Sequence, residues 1–446
     1  MPVVTRQQAP RWTDWSGRQE CNPALVLRPG SEEELVGAVR RAAGNGLVVR
    51  PIGSGHSFSP VCVTDDVQLD VSRLDELLGL DPATGVARVQ AGMTLRRLSA
   101  ELHLRGRALT NLGDVDTQTV AGALATATHG TGATFPNLSA AMVGGRLVAA
   151  DGTVHDLATA DPDLLLAARV SLGALGVLSE VHLQTVPAFR LHKVERPRPL
   201  TDLLADLDAV ATSDDHVELY ALPWSRTALL LTSRRTDEPA APPARWRTWL
   251  TDELLNNTGL GVLQRTGRRF PGLQPSIGRL TGVVASGSDR LDDSHRVFAS
   301  NRRVRFTESE WSVPRAAAAE AVREVLALIE RRRLPVSFPV EVRFAAADDA
   351  LLSTASGRDS AYIAVHQFVG VDDSAYFRHV EDLMLGLAGR PHWGKKHAAG
   401  ADVLAPRYPG WARFQAVRDR LDPTGVFTSP HVEHVLGPAA ALRAAS

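Results

Sequence analysis

The sequence predicts an α+β protein of two domains, and three observations lead to this prediction. Along the first 187 residues, strand-like and helix-like segments are mixed and joined by Gly-rich turns. The composition changes after Pro187. Beyond it, strand-like segments with alternating polar and apolar residues flank an amphipathic helix, which is typical of an antiparallel sheet with helices on one side. We therefore predict a domain boundary near residue 188.

The first domain begins with a strand–helix–strand unit. Ser31 and Glu34 form a capping box ahead of a helix, which is predicted to bury Leu35, Val39 and Ala42. A Gly-Asn-Gly turn at residues 44–46 ends this helix. The predicted strands lie at 24–28, 47–50, 67–71 and 86–90, a second helix at 94–105, and a strand–turn–strand–helix–turn–strand series at 144–187.

The second domain is predicted to be rich in paired strands. Residues 216–222 and 227–233 are predicted to form a hairpin, and residues 304–313, 340–344 and 362–368 further strands. Residues 314–333 have the periodicity of an amphipathic helix with Val322, Leu326 and Ile329 facing inward.

Composition excludes several classes of protein. The net charge of −1 and the lack of a basic block do not indicate a nucleic-acid or membrane-surface binder. No apolar run is long enough to span a bilayer and no signal core follows Met1, so we expect a cytoplasmic protein. Cys21 and Cys62 are too few for a disulfide framework or a zinc site.

Lysine usage marks one short segment. The chain contains only three lysines among its 49 basic residues: Lys193, Lys395 and Lys396. Two of them are adjacent, between His392 and His397. Because lysine, unlike arginine, has a tunable pKa, this segment is a candidate for chemistry, although chance also explains so small a number.

Three Gly-rich turns in the first domain favour a long phosphorylated cofactor. Residues 53–58, Gly-Ser-Gly-His-Ser-Phe, follow a strand and would let backbone N–H groups approach a pyrophosphate. This loop lacks the third glycine of the dinucleotide motif, so an ordinary turn remains the alternative. Residues 126–132, preceded by Asp114 and Asp116, are dense in hydroxyl groups and glycine amides, and a third turn lies at 173–176.

Candidate substrate-binding residues lie on predicted strands of the second domain. Glu341 and Arg343 share one strand face because side chains alternate, and together they could bind a polyhydroxylated substrate. An exposed ion pair is the competing interpretation. His366, on the next strand, is a candidate to join them. His392/His397 and His431/Glu433/His434 do not have a known metal-ligand spacing, so no metal site is predicted.

Taken together, these motifs resemble the sugar-lactone and alditol oxidoreductase branch of the vanillyl-alcohol oxidase flavoprotein family. The resemblance covers nearly the whole chain and depends on residues 15–21, 50–58, 113–132, 171–177, 341–344 and 391–395. It implies an FAD-binding domain at 1–187, an antiparallel-sheet substrate domain at 188–389, and a segment at 390–446 that returns to the first domain.

The resemblance also implies a set of site residues. His56 would carry FAD covalently, and Glu341, Arg343 and Lys395 would act on the substrate, with Thr119 and His366 contributing to its binding. The residues implied to contact FAD are Pro51, Ile52, Gly53, Ser54, Gly55, His56, Ser57, Thr119, Gly122, Ala127, Thr128, His129, Gly130, Val177 and His392.

The implied reaction is oxidation of an aldonolactone, such as L-gulono-1,4-lactone, at the carbon beside the carbonyl, giving an ascorbate-type product. An alditol oxidase that acts on xylitol or sorbitol with O2 is the alternative, and a flavin-binding protein without turnover is a third hypothesis. The electron acceptor, O2 or a redox carrier, stays open.

Overall fold

The computed structural model of the protein describes residues 11–159, 161–242, 260–284, 287–300 and 304–441. The first ten and the last five residues, which belong to the predicted first domain and the predicted C-terminal segment, therefore lie outside the described part of the chain.

The described residues up to position 187 form short strands and four α-helices. The strands are β1 (Trp12–Thr13), β2 (Glu20–Cys21), β3 (Leu25–Leu27), β4 (Val49–Ile52), β5 (Val67–Asp70), β6 (Leu77–Leu80), β7 (Val86–Gln90), β8 (Arg107–Ala108), β9 (Met142–Val148), β10 (Val154–Asp156), β11 (Val177–Gln184) and β12 (Val186–Pro187). The helices are α1 (Glu32–Gly44), α2 (Leu95–His103), α3 (Val120–Ala125) and α4 (Pro162–Arg169), with a 3-10 turn at Leu138–Ala141.

The remaining described residues supply longer strands and further helices. The strands are β13 (Arg190–Pro199), β14 (His216–Ala221), β15 (Thr227–Thr236), β16 (Ser288–Asp293), β17 (Phe306–Pro314), β18 (Val340–Ala345), β19 (Ser360–Phe368) and β20 (Arg390–Pro391). The helices are α5 (Leu200–Ala205), α6 (Leu207–Ala211), α7 (Leu260–Arg269), α8 (Gln274–Val284), α9 (Ser294–Phe298), α10 (Ala318–Arg332), α11 (Ser374–Gly386), α12 (Ala401–Leu404), α13 (Trp411–Leu421) and α14 (Pro430–Leu436), with 3-10 turns at Pro271–Leu273, Arg315–Ala317 and Ala405–Arg407.

Three sheets organise the described chain. Strands β3, β5 and β4 form a small parallel sheet against which α1 packs. Strands β10, β9, β11, β7 and β6 form an antiparallel sheet. The largest sheet has eight antiparallel strands in the order β16-β13-β15-β14-β18-β19-β17-β20. The antiparallel sheet predicted for the second half of the chain is therefore confirmed.

Helix α1 confirms the capping box and the buried face that were predicted for it. The Ser31 side chain accepts a hydrogen bond from the Glu34 N–H, and the Glu34 carboxylate accepts one from the Gly30 N–H. Leu35, Val39 and Ala42 are buried as predicted. The hairpin of β14 and β15 is also confirmed, with His216 paired to Ser233.

Helix α10 differs from its prediction. It begins at Ala318 because residues 315–317 form a 3-10 turn. Val322 and Ile329 are buried, but Leu326 is partly exposed, and Val325 and Leu328 lie in the core instead. The inward stripe is thus wider than the three predicted positions.

Three contacts join segments that lie far apart in the sequence. The Val49 N–H donates to the Val426 carbonyl, and α13 packs against α4. Gly132 bridges to Ala345 at the end of β18, which brings the Gly- and Thr-rich stretch beside the large sheet.

The division of the chain into domains at residues 187/188 and 389/390 stays a proposal. None of the described helices has the length and apolarity to span a bilayer.

Candidate functional site

The loop that follows β4 lines a narrow groove. Residues 50–57 form one wall of a cavity of about 90 Å³, and the turn at 171–173 and the start of α3 form the others. Gly53 lies so close to Thr119 that an added Cβ would lie 2.1 Å from its hydroxyl oxygen. Only glycine allows this approach of backbone to side chain.

The backbone of this loop is suited to an anion. Within the described residues, none of the five N–H groups of residues 53–57 donates a hydrogen bond to a protein acceptor. Consecutive N–H groups of this kind form anion-binding concavities. The groove therefore fits the pyrophosphate and neighbouring parts of FAD.

Arg50 holds this loop from behind. Its guanidinium donates to the carbonyl groups of Val61 (2.8 Å), Leu172 (2.5 Å), Gly173 (3.3 Å) and Phe427 (2.6 Å). The side chain is 1% exposed, and burial lowers its pKa to about 10, so it remains charged at neutral pH. One buried cation thus ties three distant segments to the loop.

His56 lies where the groove meets a larger cavity, and it lines both. Its ring stacks on Trp15 with centroids 5.8 Å apart, and its Nε2 lies 2.8 Å from the Thr117 hydroxyl. Burial, and then the Lys395 ammonium, lower the pKa of His56 despite the opposing charge of Asp14. The imidazole is therefore neutral at physiological pH.

The larger cavity, about 300 Å³, collects the predicted substrate residues. Glu341 and Arg343 reach it from β18, His366 from β19, and Lys395 from the segment after β20. All residues of β18 are buried, so the interpretation of Glu341 and Arg343 as an exposed ion pair is wrong.

Arg343 is surrounded by carboxylates. Its guanidinium lies 2.6 Å from Glu341, 2.9 Å from Glu218 and 3.5 Å from Asp114. Burial alone would lower the pKa of Arg343, but Glu218, Glu341 and Asp114 outweigh it and raise the pKa well above its ordinary value. Arg343 is thus a fixed positive charge.

Lys395 is held by a second pair of carboxylates. Its Nζ lies 2.5 Å from Glu308 Oε2 and 3.9 Å from Glu310 Oε2, and 5.2 Å from the centre of the Phe58 ring. Burial lowers its pKa, but Glu308 and Glu310 outweigh burial and leave the pKa raised. Lys396, next in the chain, instead binds Asp373 at 2.7 Å.

His366 connects the two ion-pair groups. Its Nε2 lies 3.7 Å from Glu308 Oε1 and 3.9 Å from Glu341 Oε2, and its ring meets Phe306 edge to face at 5.0 Å. An ionisable ring between two carboxylates can hold or pass a proton.

Sequence reasoning missed Glu218, Glu308 and Glu310. Glu308 and Glu310 lie two apart on β17 and share a face, which is the same signal that singled out Glu341 and Arg343. Register completes the group, because Glu308 pairs with His366 and Glu310 with Ala364, which in turn pairs with Glu341. Glu218 has no comparable signal, since only strand pairing with Arg343 brings it to the site.

His129, Glu310 and His392 form a buried group whose potential ligand atoms lie within 4.8 Å of one another. A 3.1 Å contact joins His129 Nε2 to Glu310, and the His129 ring stacks on Tyr362 at 3.6 Å. Burial is the main cause that lowers the pKa of His392 to about 3. Direct contact between His129 and Glu310 accounts for this group without an ion.

Most of the other predicted cofactor residues line one of the two cavities. Pro51, Ile52, Thr119, Gly122 and Val177 line the groove, and Thr128, His129 and His392 line the larger cavity. Thr119 lies on the groove side alone, where its hydroxyl caps α3. Ala127 lines neither cavity, and Gly130 lines a third, smaller one next to Arg343.

Two family models match the chain. The model of D-arabinono-1,4-lactone oxidase matches residues 181–435, and the FAD binding domain model matches residues 23–158.

Among curated relatives, the L-gulono-1,4-lactone dehydrogenase of Mycobacterium tuberculosis is 48% identical over 96% of this chain and 100% of its own length. The L-gulonolactone oxidase of Bos taurus is 31% identical, covering 95% of this chain and 98% of the relative. The alditol oxidase of a Streptomyces species is 30% identical, with the same coverage.

Among solved structures, a solvent-stable cholesterol oxidase superimposes with a TM-score of 0.81 at 20% identity, covering 96% of this chain and 97% of that one. At this identity the likeness shows the fold alone. It confirms the predicted vanillyl-alcohol-oxidase-type fold.

Proposed function

The chain belongs to the D-arabinono-1,4-lactone oxidase family, and on that premise we propose that it is an FAD-dependent enzyme that oxidises an aldonolactone of the L-gulono-1,4-lactone type. Oxidation takes place at the carbon beside the ring carbonyl and gives an ascorbate-type product. The observation that carries the proposal is the meeting of Glu341, Arg343 and Lys395 in one buried cavity beside a groove suited to FAD.

Residues of both cavities would hold FAD. The N–H groups of residues 53–57 would bind the pyrophosphate, and Thr119, Gly122 and Val177 line the same groove. Thr128, His129 and His392, which line the larger cavity, would contact the flavin, and Ala127 and Gly130 shape the backbone beside them. FAD supplies the hydride acceptor of the reaction.

His56 would be the residue that carries FAD covalently. It stands at the junction of the two cavities, and its lowered pKa leaves a neutral, nucleophilic imidazole. The Thr117 hydroxyl at Nε2 fixes the ring orientation.

Lys395 and Arg343 stabilise negative charge as the substrate hydroxyl loses its proton. Both are held in the charged state by carboxylates, so neither donates its own proton away at neutral pH. Fixed cations in a buried site stabilise a developing oxyanion strongly, because water does not screen them. Glu341 and His366 bind substrate hydroxyl groups and orient the reacting C–H bond.

Two carboxylates are placed to receive the released proton. Glu341 lies 2.6 Å from the Arg343 guanidinium, and Glu308 lies 2.5 Å from the Lys395 ammonium. Glu308 also lies 3.7 Å from His366 Nε2, and a histidine ring can hold or pass a proton.

One experiment tests the function. Purified holoenzyme is mixed anaerobically with L-gulono-1,4-lactone and, separately, with xylitol, while the flavin absorption band is followed. Bleaching by the lactone supports the proposal, and admitting air then distinguishes O2 from a redox carrier as electron acceptor.

The same experiment tests the alternatives. Bleaching by xylitol alone would establish the alditol oxidase, the activity for which the 30% identical Streptomyces relative is named. Bound flavin that neither compound bleaches would indicate a protein without turnover.

We also propose a cytoplasmic location and no nucleic-acid partner, in keeping with the charge balance.

A further inference from the structure

One exposed segment differs from the rest of the surface. Residues 260–284, here called the arginine-rich hairpin, form α7, a 3-10 turn and α8. Of the eight large hydrophobic side chains that are exposed in the described chain, five lie on it: Val262, Phe270, Leu273, Leu280 and Val283. Val283 is 83% exposed.

The apolar residues are not spread over the hairpin at random. In α8, Gln274, Ile277 and Gly278 are buried and face the protein, and a Cβ on Gly278 would lie 2.5 Å from the Pro223 carbonyl. Arg279, Leu280 and Val283 form a stripe on the opposite face. The turn between the helices adds two further exposed apolar side chains, Phe270 and Leu273.

The charge of the hairpin is entirely positive. It contains Arg265, Arg268, Arg269 and Arg279, and no acidic residue occurs from position 254 to 288. In the described part of the chain, none of the four arginines makes an ion pair with an acidic residue, although Arg268 and Arg269 lie over the Phe368 and Phe270 rings. The whole chain has a net charge of −1, so its composition does not show this local excess of positive charge. The hairpin is nevertheless a local basic surface.

A basic helix pair with exposed Phe, Leu and Val side chains is complementary to an anionic lipid surface. Apolar side chains enter the boundary between headgroups and acyl chains, while arginines bind lipid phosphates. We propose that the arginine-rich hairpin docks this enzyme on the surface of a bilayer that contains anionic lipids.

The position of the hairpin relates this docking to the site. Arg268 lies 5.8 Å from the Phe368 ring, and Phe368 packs against the aromatic cluster of Phe58, Phe306 and Phe338. Phe58 and Phe306 also line the larger cavity. The hairpin to which lipid would bind is therefore linked by direct contacts to this wall of the site.

The test is flotation of the holoenzyme with vesicles of phosphatidylglycerol and phosphatidylcholine, compared with phosphatidylcholine alone. Wild type is expected to bind the anionic vesicles, with binding that weakens as salt is added. Arg265→Gln with Arg279→Gln should lower affinity about thirty-fold, since each arginine near the surface contributes a factor of about five. Leu280→Gln with Val283→Gln should lower it at least about tenfold.

Matched controls come from exposed residues elsewhere. Arg196→Gln with Arg198→Gln removes two exposed arginines of β13, and Leu104→Gln removes a leucine that is 80% exposed. Both controls should bind vesicles like wild type. Since no altered residue lies in the site, lactone-dependent bleaching in solution should be the same in all variants, which keeps this test separate from that of the proposed function.

Three outcomes would overturn the proposal. They are failure of wild type to bind, equal binding by the hairpin variants and the controls, and a concentration-dependent dimer that only the hairpin variants abolish. The last would assign the surface to a second copy of the chain.

Discussion

His56 and Lys395 show how single side chains at this site depend on their neighbours. They lie on one cavity, and burial and then the charge of Lys395 lower the pKa of His56. The site thus keeps its histidine neutral and its lysine charged at the same pH. Two substitutions separate these roles.

Replacing His56 with alanine should abolish covalent attachment of FAD. Denatured, acid-precipitated His56→Ala protein is expected to be colourless, whereas wild type keeps its flavin. His192→Ala, which removes a histidine of β13 bound to Asp289, is the matched control and should retain covalent flavin. Flavin that stays with the denatured His56→Ala chain would contradict the assignment.

Replacing Lys395 with methionine should slow anaerobic flavin reduction by about two powers of ten, the usual effect of losing one electrostatic stabiliser. Stopped-flow absorbance measures this rate directly. Lys396→Met is the matched control, because Lys396 binds Asp373 away from the substrate residues, and its effect should be several-fold at most. Equal effects in both variants would remove Lys395 from the mechanism.

At the scale of an element, the Gly-rich loop after β4 likewise depends on a neighbouring segment. Its conformation is set by the close approach of Gly53 to Thr119 at the start of α3. Gly53→Ala should therefore displace the loop and reduce the FAD content of purified protein at least about tenfold. Gly44→Ala, in the last turn of α1 with open space around it, should leave FAD content unchanged. Full FAD content in Gly53→Ala would show that the loop tolerates the displacement.

Elements whose pattern is local could be predicted from the sequence, and those that depend on partners could not. Helix α1 carries its own cap and apolar stripe, so its bounds and buried face were predictable. Strand β13 has five charged residues and two prolines among its ten residues and no clear alternation, and only pairing with β15 and β16 makes it a strand.

The residues of the candidate site also fall into those that the sequence predicts and those that it does not. Glu341, Arg343 and Lys395 were singled out from spacing, rarity and resemblance, and the structure brings them to one cavity. Glu308 reaches that cavity, and Glu218 reaches Arg343 from the smaller cavity beside it, through strand register, which a single sequence does not specify. Ala127 was implied to touch the cofactor, but it lies behind the cavity walls with a positive φ of 59°.

At the scale of the whole molecule, buried histidines make stability depend on pH. Burial lowers the pKa of His216 from 6.5 to about 4, and His216 is 2% exposed. A lowered pKa in the folded state means that its contribution is complete above about pH 6.5 and is lost as the pH falls toward 4.

We expect the melting temperature to fall steeply between about pH 6.5 and pH 4, with His216 alone accounting for roughly 3 kcal/mol. His216→Asn keeps a donor for the Thr131 carbonyl and should make the dependence shallower. Scanning calorimetry across this range checks the slope, and parallel curves for the two proteins would contradict the assignment.

Arg50 also acts on the whole molecule, because it joins segments that are far apart in sequence. Arg50→Met would leave four buried carbonyl groups without their donor and should reduce the free energy of unfolding by about 3 kcal/mol or more. Arg40→Met, which removes an exposed arginine that also binds two carbonyl groups, should cost less than about 1 kcal/mol. Urea unfolding measures both, and similar losses would show that burial of Arg50 is unimportant.

The contact between Arg50 and Phe427 joins residues 377 positions apart. During synthesis the Gly-rich loop after β4 leaves the ribosome early, but the Phe427 carbonyl that helps to hold Arg50 behind it emerges only with the last part of the chain. We therefore expect nascent chains to remain without cofactor until translation is almost complete. Chains truncated before residue 420 should fail to retain FAD even though every predicted contact residue is present.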